Sequence, residues 1–271
     1  MNENKSSSNS PPAKLVKNST FDVKVFGTLL FVSLLASLAT IPYALDLLAQ
    51  KTSALPMQML LGVLINFVLL TLPLTSLGLW LGSKVGLGTP KIEAILSKRP
   101  HNQHQFQPSI LPAIVLGTVG GIFVQAASIL SQPYLPQELT EVEHPAFLPS
   151  LLGSFGAAVN EEIWLRLGVM TCMVWLGSAL MRQQKPSKVI VWSANLLAAF
   201  GFGVLHLPLA ASLAQGLSFA VVTMVLSLNG FVGLIFGWLY WRHGLLAAMI
   251  AHFSTDMVIH VIPALFSTAI K

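Results

Sequence analysis

Three short segments of the chain carry ionisable residues inside long apolar stretches. They read E-E-I-W-L-R at 161–166, F-G-V-L-H at 202–206 and H-F-S-T-D at 252–256. A charge at the depth of a lipid bilayer costs at least ~2.5–3.5 kcal/mol on insertion scales, so such residues are rarely without a function. The three segments therefore predict a buried polar site inside a helical membrane protein.

The first segment contains two adjacent carboxylates with different prospects. On a helix, Glu161 and Glu162 point ~100° apart, so they cannot face one small cavity equally. Arg166 follows Glu162 by four residues and shares its face, which predicts a Glu162–Arg166 ion pair. Glu161 is then left to face a cavity as a candidate base.

The other two segments supply imidazoles. Phe202 lies one turn before His206 on the same helix face, and we expect its ring to pack against the imidazole and shield it from water. His252 and Asp256 share a face at i,i+4 spacing on a later helix. His260 continues that row by one more turn, and we expect it to lie near the membrane interface.

Together these residues could perform hydrolysis without a side-chain nucleophile. Brought together around one pocket, Glu161, His206, His252 and Asp256 would supply a carboxylate and an imidazole, which can bind and deprotonate a water. A second imidazole with a polar partner can stabilise a developing oxyanion. An alternative stays open, in which Glu161, His206 and His252 bind a divalent metal such as zinc. The chain contains no H-E-x-x-H zinc motif and no G-x-S-x-G nucleophile motif.

The composition is that of a membrane protein. Only 9% of the 271 residues are charged and 54% are hydrophobic, whereas a soluble domain is about 25% charged. Aromatic residues do not interleave with basic runs, so we do not expect nucleic acid as a partner. Cys172 is the only cysteine, which excludes an intrachain disulfide.

Long apolar stretches predict an all-α bundle with seven or eight membrane helices around a central polar cavity, since a spanning helix needs ~20 apolar residues. The stretches cover 25–44, 56–82, 109–131, 147–181, 189–211, 214–241 and 244–267. Two of them are long enough for a break, near Gly153 or Gly156 and near Asn229-Gly230. Residues 1–24 predict a disordered polar tail, and 25–271 form one transmembrane domain.

The connections differ in charge, which predicts the orientation. Lys and Arg concentrate in the tail and in connections 83–108 and 182–188, whereas connection 132–146 carries three glutamates and neither Lys nor Arg. Because cytoplasmic loops carry an excess of Lys and Arg, we expect a multi-pass protein of the plasma membrane with a cytoplasmic N-terminus. Membrane lipid is then an obligatory partner.

The order of the motifs resembles a known family. E-E-x-x-x-R, F-x-x-x-H and H-x-x-x-[N/D] on successive membrane helices are similar to the CAAX protease and bacteriocin-processing family, which includes the type II CAAX prenyl endopeptidases. The similarity covers about 147–260. Asp256 stands where the prenyl endopeptidases usually carry Asn.

The resemblance implies an intramembrane endopeptidase. Glu161 and His206 would activate the water, His252 and Asp256 would form the oxyanion side, and Glu162 and Arg166 would be structural or assisting. The substrate would be a peptide or protein, prenylated or embedded in the membrane. Two rival functions use the same buried residues. One is a proton-coupled transporter, against which the missing internal repeat argues; the other is a catalytically silent scaffold or immunity protein.

Overall fold

The fold is built entirely from helices within the part of the chain that the structure describes. The structure is a computed structural model and describes residues 22–49, 56–96 and 107–267. The predicted polar tail lies outside these residues, apart from its last three positions. Seven helices are long and apolar enough to cross a membrane, at the lower of the two numbers that the sequence allowed.

The seven long helices follow one another along the chain and are joined by short connections. They are α1 (Val23–Ala49), α2 (Pro56–Val85), α4 (Gln107–Ser131), α6 (Phe147–Leu180), α7 (Lys188–Leu213), α8 (Phe219–His243) and α9 (Leu245–Phe266). Two short helices lie in connections, α3 (Pro90–Leu96) after α2 and α5 (Gln137–Thr140) after α4. Helix α3 covers the Ile92–Leu96 segment of the 83–108 connection.

Neither of the two possible breaks is present, and each of the two stretches forms one long helix. Helix α6 runs through Gly153 and Gly156, and α8 runs through Gly230, without interruption. The two α6 glycines instead allow α1 to approach closely. A Cβ at Gly153 would collide with the Tyr43 ring, and one at Gly156 would collide with Thr40 and the Ala36 carbonyl. Small residues at membrane helix interfaces serve this purpose because close backbones gain van der Waals contact.

Three of the long helices contain a π-helical segment, and two of these segments follow the polar motifs directly. Ile163–Met170 follows the Glu161-Glu162 pair in α6, and Met257–Val261 follows Asp256 in α9. The third is Phe67–Thr71 in α2. π-Helical turns are rare and occur frequently at functional sites, because the wider turn re-aims side chains and frees a carbonyl. The Arg166 carbonyl accepts the backbone N–H of Thr171 and also a hydrogen bond from the Thr171 hydroxyl at 3.1 Å.

Packing brings the motif-bearing helices together. Helix α8 packs along α7, α9 packs between α4 and α8 and also contacts α6, and α1 packs along α6. On one side of the polar motifs, half of the bundle is filled by a continuous core of buried side chains. Leu167, Met170, Leu239 and Leu245 belong to this core and are all fully buried. The other half contains the cavity.

Candidate active site

A single cavity of about 480 Å³ is lined by the candidate catalytic residues. Glu161, His206, His252 and Asp256 all contribute to its wall, although they come from α6, α7 and α9. Phe202 lines it too, whereas Glu162 and Arg166 lie behind the wall and are fully buried. The split between the two glutamates is the one that their ~100° separation on the helix predicts.

The Glu162–Arg166 pair predicted from the i,i+4 spacing is present. Glu162 Oε2 lies 3.3 Å from Arg166 Nε, and neither side chain is exposed. Arg166 Nη2 also donates a hydrogen bond to the carbonyl of Gly233 in α8 at 2.9 Å. Its guanidinium lies 5.0 Å from the centroid of the Phe202 ring and 5.5 Å from that of Phe236. Arg166 therefore ties α6 to both α7 and α8.

Glu162 has a second partner that its sequence position does not indicate. His252 Nδ1–H donates a hydrogen bond to Glu162 Oε1 at 2.9 Å, across from α9 to α6. A carboxylate oxygen without a proton only accepts, so this contact keeps the proton of His252 on Nδ1 and fixes the ring plane. Glu162 thus holds Arg166 with one oxygen and His252 with the other.

The other nitrogen of His252 faces the cavity between two carboxylates. Nε2 lies 3.7 Å from Asp256 Oδ2 and 3.9 Å from Glu161 Oε2, beyond direct hydrogen-bonding distance in both cases. Glu161 is the most accessible of the three, with 24% of its side chain exposed. Its Oε2 atom is buried and has no hydrogen-bond partner among the described residues, so the protein leaves the hydrogen-bonding capacity of this oxygen unused.

His206 is held by its own helix. Its Nδ1–H donates to the carbonyl of Phe202 at 2.8 Å, and because a carbonyl only accepts, Nδ1 carries the proton. In the neutral ring, Nε2 is then unprotonated and can accept a hydrogen bond. The Phe202 ring meets the His206 ring edge to face at 4.8 Å, and it contacts His252 in the same way at 5.5 Å. One buried phenyl ring therefore sets the position of both imidazoles.

Two further residues, Phe236 and Tyr43, line the cavity without being named by the sequence analysis, and His260 lines it as well. Phe236 stacks on His252 with ring centroids 4.8 Å apart and planes 15° apart. Tyr43 of α1 lines the cavity beside His260, with its hydroxyl 3.5 Å from His260 Nδ1. His260 therefore lines the cavity, and its expected place near the membrane interface stays a prediction. Only the Gly- and aromatic-rich composition of 230–241 could have drawn attention to Phe236.

A hydrogen-bonded network supports Glu161 from behind. The preceding residue, Asn160, accepts a short hydrogen bond from Ser33 of α1 and donates to the Ser37 hydroxyl at 3.1 Å. Trp164, one turn after Asn160, donates its indole N–H to the Thr71 hydroxyl of α2 at 2.9 Å. Paired buried polar groups of this kind fix a helix rotationally, because any rotation would leave them unsatisfied.

Metal binding is the alternative that the sequence leaves open for the same cavity residues. Within the described residues, no group of three or more His, Cys, Asp or Glu side chains is arranged to hold a metal ion. The residues as placed do not form the Glu161–His206–His252 ligand set, and no step below uses a metal.

Comparison with known proteins agrees with the motif order. The sequence model of a family described as type II CAAX prenyl endopeptidase Rce1-like matches residues 143–258, a range that contains all three motifs. No curated protein and no solved structure matches the chain. The match confirms the resemblance inferred from the motifs over the segment 143–258, which is less than half of the chain. Together with the seven helices that are long and apolar enough to cross a membrane, it defines the chain as an integral membrane protein with a segment similar to CAAX proteases.

Proposed function

We propose that this protein hydrolyses peptide bonds within its membrane cavity, with a water activated by Glu161 and His206. The observation that carries the proposal is the pairing of Glu161, whose Oε2 has no hydrogen-bond partner among the residues that the structure describes, with two imidazoles fixed by Nδ1 contacts in the same cavity wall. Carboxylate and imidazole are the groups that general-base hydrolysis requires.

In the proposed reaction, Glu161 removes a proton from water while His206 Nε2 accepts a hydrogen bond from the same water. The resulting hydroxide attacks the carbonyl carbon of the scissile bond, and a C–O bond forms as the carbonyl electrons move to its oxygen. His252 is assigned to the oxyanion side. Because its Nδ1–H is directed at Glu162, Nε2 donates only when the ring is doubly protonated, and in that form it would stabilise the negative charge. Collapse of the tetrahedral intermediate breaks the C–N bond, and the proton held by Glu161 passes to the leaving amine.

Two features of the surroundings support this assignment. The carboxylate of Glu162 and the ring of Phe236 together hold His252 in one orientation, as a preorganised oxyanion donor requires. The rest of the cavity wall is largely apolar and includes Val124, Leu228 and Val232, so bulk water is restricted and an extended apolar segment can be bound.

The test is cleavage by purified protein of two peptide sets, one unmodified and one C-terminally prenylated, with products identified by mass spectrometry. Loss of a general base lowers rates by typically ~10²–10⁴-fold, so Glu161→Gln and His206→Gln should each reduce cleavage on this scale. His144→Gln is the matched control, since His144 is exposed in the connection before α6 and does not line the cavity. Full activity in Glu161→Gln would disprove the proposed chemistry.

A further inference from the structure

The cavity is confined to one end of the helical bundle. In each of the seven long helices, the residues that line the cavity lie at the level of the three motifs, here called the motif layer, or on one and the same side of it. They are 37–43 in α1, 63–66 in α2, 124–128 in α4, 153–164 in α6, 202–209 in α7, 224–236 in α8 and 252–260 in α9. Because consecutive helices alternate in direction, these segments lie near the end of α1, α4, α7 and α9 and near the start of α2, α6 and α8.

The end of the bundle that contains the cavity carries 135–146 and 214–218 and is here called the acidic face. Contacts between these connections and the helix ends define it. The Ala146 N–H at the start of α6 donates to Asp46 near the end of α1 at 3.4 Å. Leu135 and Leu139 of connection 135–146 pack on Ala210 and Ala214 at the end of α7. The acidic face is therefore one continuous end of the bundle, and Glu138, Glu141 and Glu143 belong to it by sequence.

The opposite end, here called the basic face, carries 86–96, 181–187 and Gly244. The Leu245 N–H at the start of α9 donates to the carbonyl of Gly88 at 3.1 Å, and α1 begins beside α3. Lys84 near the end of α2 lies 5.9 Å from the Trp175 ring near the end of α6. Apart from Lys51, Lys271 and the buried Arg166, every Lys and Arg of the chain lies in or next to these connections, the 97–106 connection or the N-terminal segment.

The basic end of the bundle is closed beneath the motif layer. Val25, Leu87, Met170, Val174 and Leu245 are buried there, all at 9% exposure or less. The buried hydroxyls of Thr171 and Tyr240 hydrogen-bond each other at 2.7 Å and join α6 to α8 in the same layer. On the other side of the layer, the cavity wall reaches Leu209 and Asn66, which are both exposed. Among the described residues, the basic end therefore consists of packed side chains and contributes no part of the cavity wall.

We infer that the cavity opens away from the cytoplasm and that its substrates are polypeptides presented on the non-cytoplasmic side. Lys and Arg near membrane helix ends are retained in the cytoplasm, which places the basic face inside and the acidic face outside. The substrate class is then an exported chain or the outer flank of a membrane-spanning segment, rather than a cytosolic C-terminal tail. The inference about substrate rests on the proposed function, whereas the orientation of the cavity does not.

Single cysteines test the orientation without any need for activity. In a Cys172→Ser background, Ser128→Cys places a thiol in the cavity wall, Thr140→Cys reports the acidic face and Gln184→Cys reports the basic face. Intact cells are treated with a membrane-impermeant, negatively charged thiol reagent and compared with inside-out vesicles. We expect Ser128→Cys to react from outside together with Thr140→Cys, and Gln184→Cys to react only in inside-out vesicles.

Three results would overturn the inference. They are reaction of Ser128→Cys only in inside-out vesicles, reaction of Gln184→Cys from outside, or no reaction of Ser128→Cys from either side. A second arm presents the same cleavable peptide either outside intact cells or fused to a cytosolic C-terminus, with Glu161→Gln as the inactive control. Cleavage of only the cytosolic fusion would refute the substrate class. If neither peptide is cleaved while the labelling follows expectation, the orientation stands and the proposed protease function fails.

Discussion

Replacement of Glu162 by Gln should destabilise the protein far more than the same replacement of its neighbour Glu161. The change keeps the side-chain size and removes the negative charge. Glu162 is fully buried and serves two partners, Arg166 at 3.3 Å and His252 at 2.9 Å. Glu161 is partly exposed to the cavity, and its nearest ion-pair distance is 3.9 Å. The same Glu-to-Gln change is therefore made at two positions that differ in burial and in ion pairing.

The magnitude follows from the environment of Arg166. Removal of one member of a buried ion pair typically costs ~3–5 kcal/mol, because the remaining charge stays buried without compensation. Arg166 keeps its hydrogen bond to the Gly233 carbonyl and its contacts with the Phe202 and Phe236 rings, so we expect the lower end of that range. About 3 kcal/mol corresponds to a change on the order of a hundredfold in the unfolding equilibrium.

The assay compares purified wild type, Glu162→Gln and Glu161→Gln in the same detergent. Unfolding is followed by tryptophan fluorescence, and the amount of folded protein in the membrane is measured alongside. We expect Glu162→Gln to unfold much more readily and to accumulate less, and Glu161→Gln to resemble the wild type in both respects. Cleavage per folded molecule should fall in Glu162→Gln as well, since His252 loses the charged acceptor that fixes its ring.

One pattern of results would refute this reasoning. If Glu162→Gln unfolds like the wild type but is inactive, while Glu161→Gln is unstable or keeps its activity, the two carboxylates have the opposite roles to those assigned. Equal destabilisation by both changes would show that Glu161 also has a charged partner that matters for folding.

Three other predictions follow from the site and its packing. Asp256→Asn should retain most of the cleavage rate, since Asn keeps the shape and an acceptor beside His252. Asp256→Ala should instead lose activity equivalent to ~2.7–4 kcal/mol of transition-state stabilisation. Equal loss of activity in both variants would show that the charge itself is required. Strong chelators should leave cleavage intact, and stoichiometric metal in active protein, or loss on chelation with recovery on adding Zn²⁺, would contradict the metal-free reaction. Gly117→Ala should destabilise the fold by at least ~1–3 kcal/mol, because its Cβ would collide with the Ala251 backbone of α9. The control is Gly62→Ala, where no atom lies within 4 Å of the added carbon. This change should be neutral or stabilising in the same unfolding assay.

The relationship between sequence and structure is clearest at the two glutamates. The i,i+4 spacing placed Arg166 on the face of Glu162 and turned Glu161 away, and the structure has both features. Such spacing is informative because the period of a helix depends on neighbouring residues alone. The contact between Glu162 and His252 joins residues 90 positions apart, and no local pattern predicts it. It depends on how α9 packs against α6.

At the glycines of α6 and α8, the local sequence suggests a feature that the packed bundle does not have. Gly153, Gly156 and Gly230 suggested breaks because glycine is a poor helix former in isolation. In the bundle, backbone hydrogen bonds within the helix are retained because lipid offers no alternative partner, so the helices continue. At Gly153 and Gly156, the missing side chains are used for close contact with α1.

The amino-acid sequence by itself determined the membrane class, the all-helical fold, the order of the motifs and the chemistry that Glu161, His206, His252 and Asp256 can perform. These properties follow from composition, apolar length and helical period, all of which are local. Only the tertiary structure decided that one cavity gathers these residues, that Phe202 and Phe236 hold the imidazoles, and that the cavity lies at the acidic end of the bundle. Those features depend on which helices pack together, and packing is settled by contacts between residues far apart in the chain.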